Sequence, residues 1–173
     1  MSEDRSIAVS HRAVYHMRQE ILRLLADAQA DRGGSATDRE LEELASEWRG
    51  KYRTMRPDAA CALVEKLATE PGPEPARFAV FVLAGLERRY GPSLWSTVCS
   101  LAGAIDDAAL TRLTARRVAA PLLAKHPELL DSLETAAEPP VSRVAFLLAE
   151  SCAALRVTAP EIVDRVEALL ARE

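Results

Sequence analysis

The stretch Pro75-Ala76-Arg77-Phe78-Ala79-Val80-Phe81-Val82-Leu83-Ala84-Gly85-Leu86-Glu87-Arg88-Arg89-Tyr90 decides the fold. A proline opens it, and from Phe78 to Leu86 it is nearly all apolar. Proline suits a first helical turn and disrupts a helix interior. The stretch therefore predicts a helix over 75–90 that is buried on most sides. Composition points the same way. The 173 residues include 31 Ala and 23 Leu, with 7 Gly and 5% aromatics. Ala and Leu favour helices, while the β-branched and aromatic residues that favour strands are scarce. This argues against a β sandwich or barrel and disfavours a Rossmann-type sheet.

Outward from this helix, breakers divide the chain. They are Gly33-Gly34-Ser35, Arg56-Pro57, the Pro71–Pro75 run, Gly91-Pro92, His126-Pro127, Pro139-Pro140 and Pro160. Between them lie segments with helical periodicity. Val14, Met17, Ile21, Leu24, Leu25 and Ala28 make one stripe of a helix over 10–31. Leu41, Leu44, Trp48 and Tyr52 make that of a second over 38–55, and a third spans 58–69. Ser93 is the expected cap of a helix ending near Ala104, and Asp106 or Asp107 that of helical structure reaching Lys125 in one or two pieces. Three more helices follow over 127–137, 140–155 and 159–172. The expected fold is all-α, with eight or nine helices in a single domain over 1–173.

An internal repeat refines this. Glu65-Lys66-Leu67-Ala68-Thr69 leads through prolines to Arg77-Phe78-Ala79, and Asp131-Ser132-Leu133-Glu134-Thr135 leads through prolines to Arg143-Val144-Ala145. The offset of 66 residues suits two units of a helix-pair repeat. It predicts stacked antiparallel helix pairs, a HEAT-like array with its core over 58–173. A single irregular bundle is the alternative. Residues 1–34 then form an N-terminal helix that could dock a partner or pack on its own core.

The totals bound the function. The net charge is −4 and the pI near 5.5, which lowers the odds of nucleic-acid binding without excluding a local basic patch. Cys61, Cys99 and Cys152 form no CxxC pair and read as reduced thiols of a cytoplasmic protein. The first residues have no apolar core of a signal peptide, and no run is long enough to span a membrane. His11, His16 and His126 lack metal-ligand spacing, and no Walker loop, GxGxxG or GxSxG occurs. No metal or other cofactor is expected.

The candidate binding residues are cationic. Arg49, Lys51 and Arg53 surround Tyr52, a pattern that suits phosphates and stacked bases or simply complements a helix C-terminus. Arg112 and Arg116 share a helix face at i, i+4, with Arg117 beside them. Such a group lines a groove or forms a solvated face.

The segment from Phe78 to Ala149 resembles the DNA alkylation repair glycosylases built from HEAT-like repeats. The matching motifs are Trp95-Ser96-Thr97-Val98-Cys99-Ser100-Leu101-Ala102, Pro121-Leu122-Leu123-Ala124-Lys125-His126-Pro127-Glu128-Leu129-Leu130, and Val141-Ser142-Arg143-Val144-Ala145-Phe146. The resemblance implies an aromatic wall at Trp95 and a phosphate-contacting Arg143, with Arg77 as its repeat-mate. It also implies a carboxylate that stabilises an oxocarbenium-like sugar as the alkylated base leaves. Cys99 stands where the family keeps that Asp, and Val141 where it keeps a Trp. A thiol with a reference pKa of about 8.5 is largely uncharged near pH 7. The expectation is a non-catalytic module that engages DNA or another protein on a concave surface. The alternatives are a divergent glycosylase using Asp106 or Asp107, and a self-associating accessory subunit.

Overall fold

The computed structural model describes residues 2–104, 106–138 and 140–172, of which 2–10, 103 and 104 by backbone alone. The described residues contain helices and turns and no strand. Pro139 lies outside them. The all-α class is borne out. Taking the continuous run 108–125 as one, the described residues form eight helices longer than a single turn, and a short ninth. The chain separates into two compact units, Met1–Gly85 and Leu86–Glu173.

Unit 1 begins with α1 (Ser2–Arg32). Its stripe of Val14, Met17, Ile21 and Leu25 is buried, and α1 packs on α3 (Pro57–Ala68). The apolar face offered for docking is therefore covered inside the unit. Helix α2 (Asp38–Lys51) opens with a capping box. The Thr37 N–H donates to Glu40 Oε2 at 2.8 Å, and the Glu40 N–H donates to Thr37 Oγ1 at 3.3 Å. This pairs two of the donors that a helix start leaves open. Helix α4 (Pro73–Tyr90) follows a tight turn at Gly72, whose φ of 88° suits glycine. Every residue from Phe78 to Leu83 is buried, as the apolar run requires. Glu74, at the start of α4, accepts from the Ala36 N–H at 2.6 Å.

Unit 2 gathers around α9 (Ser142–Thr158). That helix packs against α5 (Trp95–Ala104), α6 (Ala108–Thr114), a π-helical turn over Ala115–Ala119, α7 (Ala120–Lys125) and α10 (Pro160–Leu170). The π turn has a local cause. Pro121 has no N–H, and its ring opposes the carbonyl four residues back. The helix widens by one residue, so that the Ala120 N–H donates to the Ala115 carbonyl. Asp107 caps α6, accepting from the Ala109 N–H at 2.8 Å and the Leu110 N–H at 3.2 Å. Ser93 does not cap α5. Its hydroxyl donates to the Tyr90 carbonyl at 2.8 Å, within a 3-10 turn over Gly91–Leu94. A second 3-10 turn, Pro127–Leu130, leads into α8 (Asp131–Glu134). Arg165 of α10 anchors that segment. It donates to both Glu134 carboxylate oxygens at 2.7 Å, to Asp131 at 2.8 Å and to the Pro127 carbonyl at 3.0 Å.

Candidate partner-binding surface

Three of the four candidate cations of unit 1 are engaged inside the unit. Arg49, on α2, is half-buried, and its Nη1 donates to the Phe81 carbonyl of α4 at 2.5 Å. Burial pushes its guanidinium pKa down, and Glu42 opposes that. The group lies over Gly85, where an added Cβ would fall inside it. A mid-helix glycine usually costs stability relative to alanine, and here it makes room for the arginine. We expect Gly85→Ala to displace Arg49 and change stability by less than about 0.5 kcal/mol, because helix propensity offsets the lost bond. In an Arg49→Ala background the same change should stabilise by about 1 kcal/mol. A double-mutant cycle by urea denaturation reads the difference, and strictly additive effects would refute the contact.

Lys51 pairs with Glu20 of α1, and the Tyr52 hydroxyl donates to the same carboxylate. Burial raises the Glu20 pKa, but the bonds from Lys51 and Tyr52 outweigh it and hold the carboxylate below its ordinary value. Burial, then the Glu20 bond, push the Tyr52 phenol up to about 12. Tyr52 also lies against Trp48, with ring centroids 4.7 Å apart. This tyrosine is a packing and hydrogen-bonding group. Arg77 donates to Asp38 Oδ1 from Nε at 3.0 Å and to the Ala36 carbonyl from Nη1 at 3.1 Å. It thus holds the start of α2 onto α4. Arg53 is exposed in the turn after α2.

Unit 2 carries the other candidates. Trp95, at the first turn of α5, is only 8% exposed and belongs to the core. Cys99 is half-buried one turn later, and burial raises its thiol pKa to about 11. It is neutral near pH 7. Asp107 is committed to its cap, while Asp106 is exposed and lies 3.8 Å from Arg143 Nη2. Arg112 Nε stands 3.5 Å from Glu150 of α9. Arg116 and Arg117 are both exposed on the π turn. Among the described residues no group of three or more His, Cys, Asp or Glu could hold a metal ion, and no helix is long and apolar enough to cross a membrane.

The structure thus brings Arg112, Arg116 and Arg117 together on one helix. Arg49, Lys51 and Arg77 fall on separate contacts within unit 1. Sequence reasoning missed Glu20, Gly85 and Arg165. Only Gly85 carried a local signal, as a glycine inside an apolar helix. The chain matches no family model, no curated protein and no solved structure.

Proposed function

We propose that the chain is a non-catalytic, HEAT-like helical module that binds another protein in the cytoplasm. One observation carries this reading. The cations that would line a phosphate groove are largely engaged by the chain itself: Arg49 by a carbonyl, and Lys51, Arg77, Arg112 and Arg143 by carboxylates. A surface that tracks a nucleic-acid backbone needs cations that release counterions on binding. The neutral Cys99 supports the absence of catalysis, because it supplies no charge to stabilise a cationic sugar. The π turn is the favoured contact surface, since π-bulges recur at functional sites and this one displays Arg116 and Arg117.

The test has two arms. Anisotropy of a labelled DNA duplex should stay flat between about 50 and 200 mM salt. A photo-reactive residue in place of Arg116 should cross-link one dominant protein in cells, while the same residue at exposed Arg39 should not. Tight duplex binding with a steep negative salt slope would replace the protein partner with DNA. Release of a methylated purine from alkylated DNA would restore the glycosylase reading.

A further inference from the structure

A cleft of about 390 Å³ opens in unit 2 where α4 and α7 end, and the reading above does not use it. Its volume lies at the lower end of the range for small-molecule sites, roughly 300–1,000 Å³. Arg88 and Arg89 come from the last turn of α4, and Lys125 and His126 from the end of α7. Glu87 is the one carboxylate in the lining. It is buried, and its Oε1 accepts from Lys125 Nζ at 2.7 Å. That pair fixes the lysine at the cleft wall and neutralises one cation. Both arginines remain in excess, within a chain whose net charge is −4.

The histidine is set in the same way. Its Nδ1 is 3.1 Å from Glu128 Oε1, which orients the ring. Its Nε2 faces Gly91, where an added Cβ would approach to 3.2 Å. Gly91 also holds φ at 49°, a conformation natural to glycine. A backbone without a side chain therefore flanks the second ring nitrogen. With Nδ1 against Glu128, Nε2 is the ring nitrogen left without a partner among the described residues, and an imidazolium donates from both nitrogens. Arg89 lies over the Tyr90 ring, 5.3 Å from its centroid, and both side chains line the cleft.

We propose that this cleft binds a small phosphomonoester, its phosphoryl oxygens held by Arg88, Arg89 and His126 and its organic group lying along Tyr90. A phosphomonoester carries a charge of about −1.5 to −2 at pH 7 and three strong acceptor oxygens. Two planar guanidinium forks and a ring N–H suit that geometry. The cations outweigh the partial negative charge of the two helix ends, and the Glu87 carboxylate is already paired with Lys125.

The chain has three histidines, which makes the test direct. Ring resonances of His11, His16 and His126 are followed by NMR during titration with inorganic phosphate, ribose 5-phosphate and adenosine 5′-monophosphate at fixed pH and ionic strength. His126 should shift and saturate while His11 and His16 stay still. Tighter binding of the nucleotide and the sugar phosphate identifies an organic phosphate as ligand; equal affinity for all three identifies free phosphate. Arg89→Ala and Arg88→Gln, both at exposed positions, should each weaken binding about tenfold, the effect of one charge-assisted contact. Parallel drift of all three histidines, or no saturation of His126 with any of the three probes, overturns the site.

Discussion

Replacing Trp95 by alanine is expected to cost about 3–5 kcal/mol of folding stability, the range for deleting a buried aromatic ring. The side chain is 8% exposed, beside fully buried Leu94 and one turn before Val98. A loss of that size approaches the whole stability of an ordinary domain. Circular dichroism during urea denaturation measures it, without relying on the tryptophan signal that the substitution removes. Trp95→Phe keeps most of the volume and should cost less than half as much. An aromatic that waited for a deoxyribose would behave otherwise. Its removal would leave stability within about 0.5 kcal/mol, as at exposed sites, and would show only in ligand binding. That result would return Trp95 to the binding surface.

The same residue shows what a sequence can and cannot display. Periodicity located the helices because the buried positions are nearly all apolar and recur at three and four. The run from Phe78 to Leu86 could be placed inside with no other information. Helix ends were less legible. The first helix starts at Ser2 rather than Ser10 because a charged first turn has no apolar rhythm to mark it. The second ends at Lys51 because Tyr52 leaves helical geometry, with φ −110° and ψ 43°, although the apolar stripe runs on to Tyr52. Pro121 is a visible cue to the π turn, but Val118-Ala119-Ala120 before it and Leu122-Leu123-Ala124 after it keep the helical pattern intact.

The candidate cations were harder. Arg49, Lys51 and Arg77 find their partners 31 to 41 residues away. No local pattern announces such a pair, so each arginine read alone resembles a ligand. An arginine that meets a carboxylate or carbonyl of its own chain is indistinguishable in sequence from one that awaits a phosphate. Folding decides, and here it gives Arg49, Lys51 and Arg77 partners within the chain.

The second large effect is at alkaline pH. Cys99 has an ordinary thiol pKa of 9.0 when exposed and about 11 in the fold, because burial disfavours the thiolate. Tyr52 rises from 10.0 to about 12 through burial and its bond to Glu20. For both groups the folded value lies above the unfolded one. Their stabilising contribution is complete below the unfolded value and is lost as pH rises toward the folded value. A two-unit shift corresponds to about 2.7 kcal/mol at most. Both side chains are partly solvated, so about 1–2 kcal/mol from Cys99 and about 1 kcal/mol from Tyr52 is the expected scale. Stability should therefore begin to fall near pH 9 from the thiol and continue toward pH 12 from the phenol. Cys99→Ala should flatten the first part and Tyr52→Phe the second, in urea midpoints taken across the range. Comparing each variant with the parent cancels the lysines that titrate nearby. If Cys99→Ala fell as steeply as the parent between pH 9 and 10, the thiol would have the same pKa folded and unfolded, and burial would not be what keeps it protonated. A thiolate near pH 7 would need a folded pKa below the unfolded one, and the parent would then gain stability between about pH 7 and 9 that Cys99→Ala lacks; that outcome would remove the electrostatic basis of the argument against catalysis.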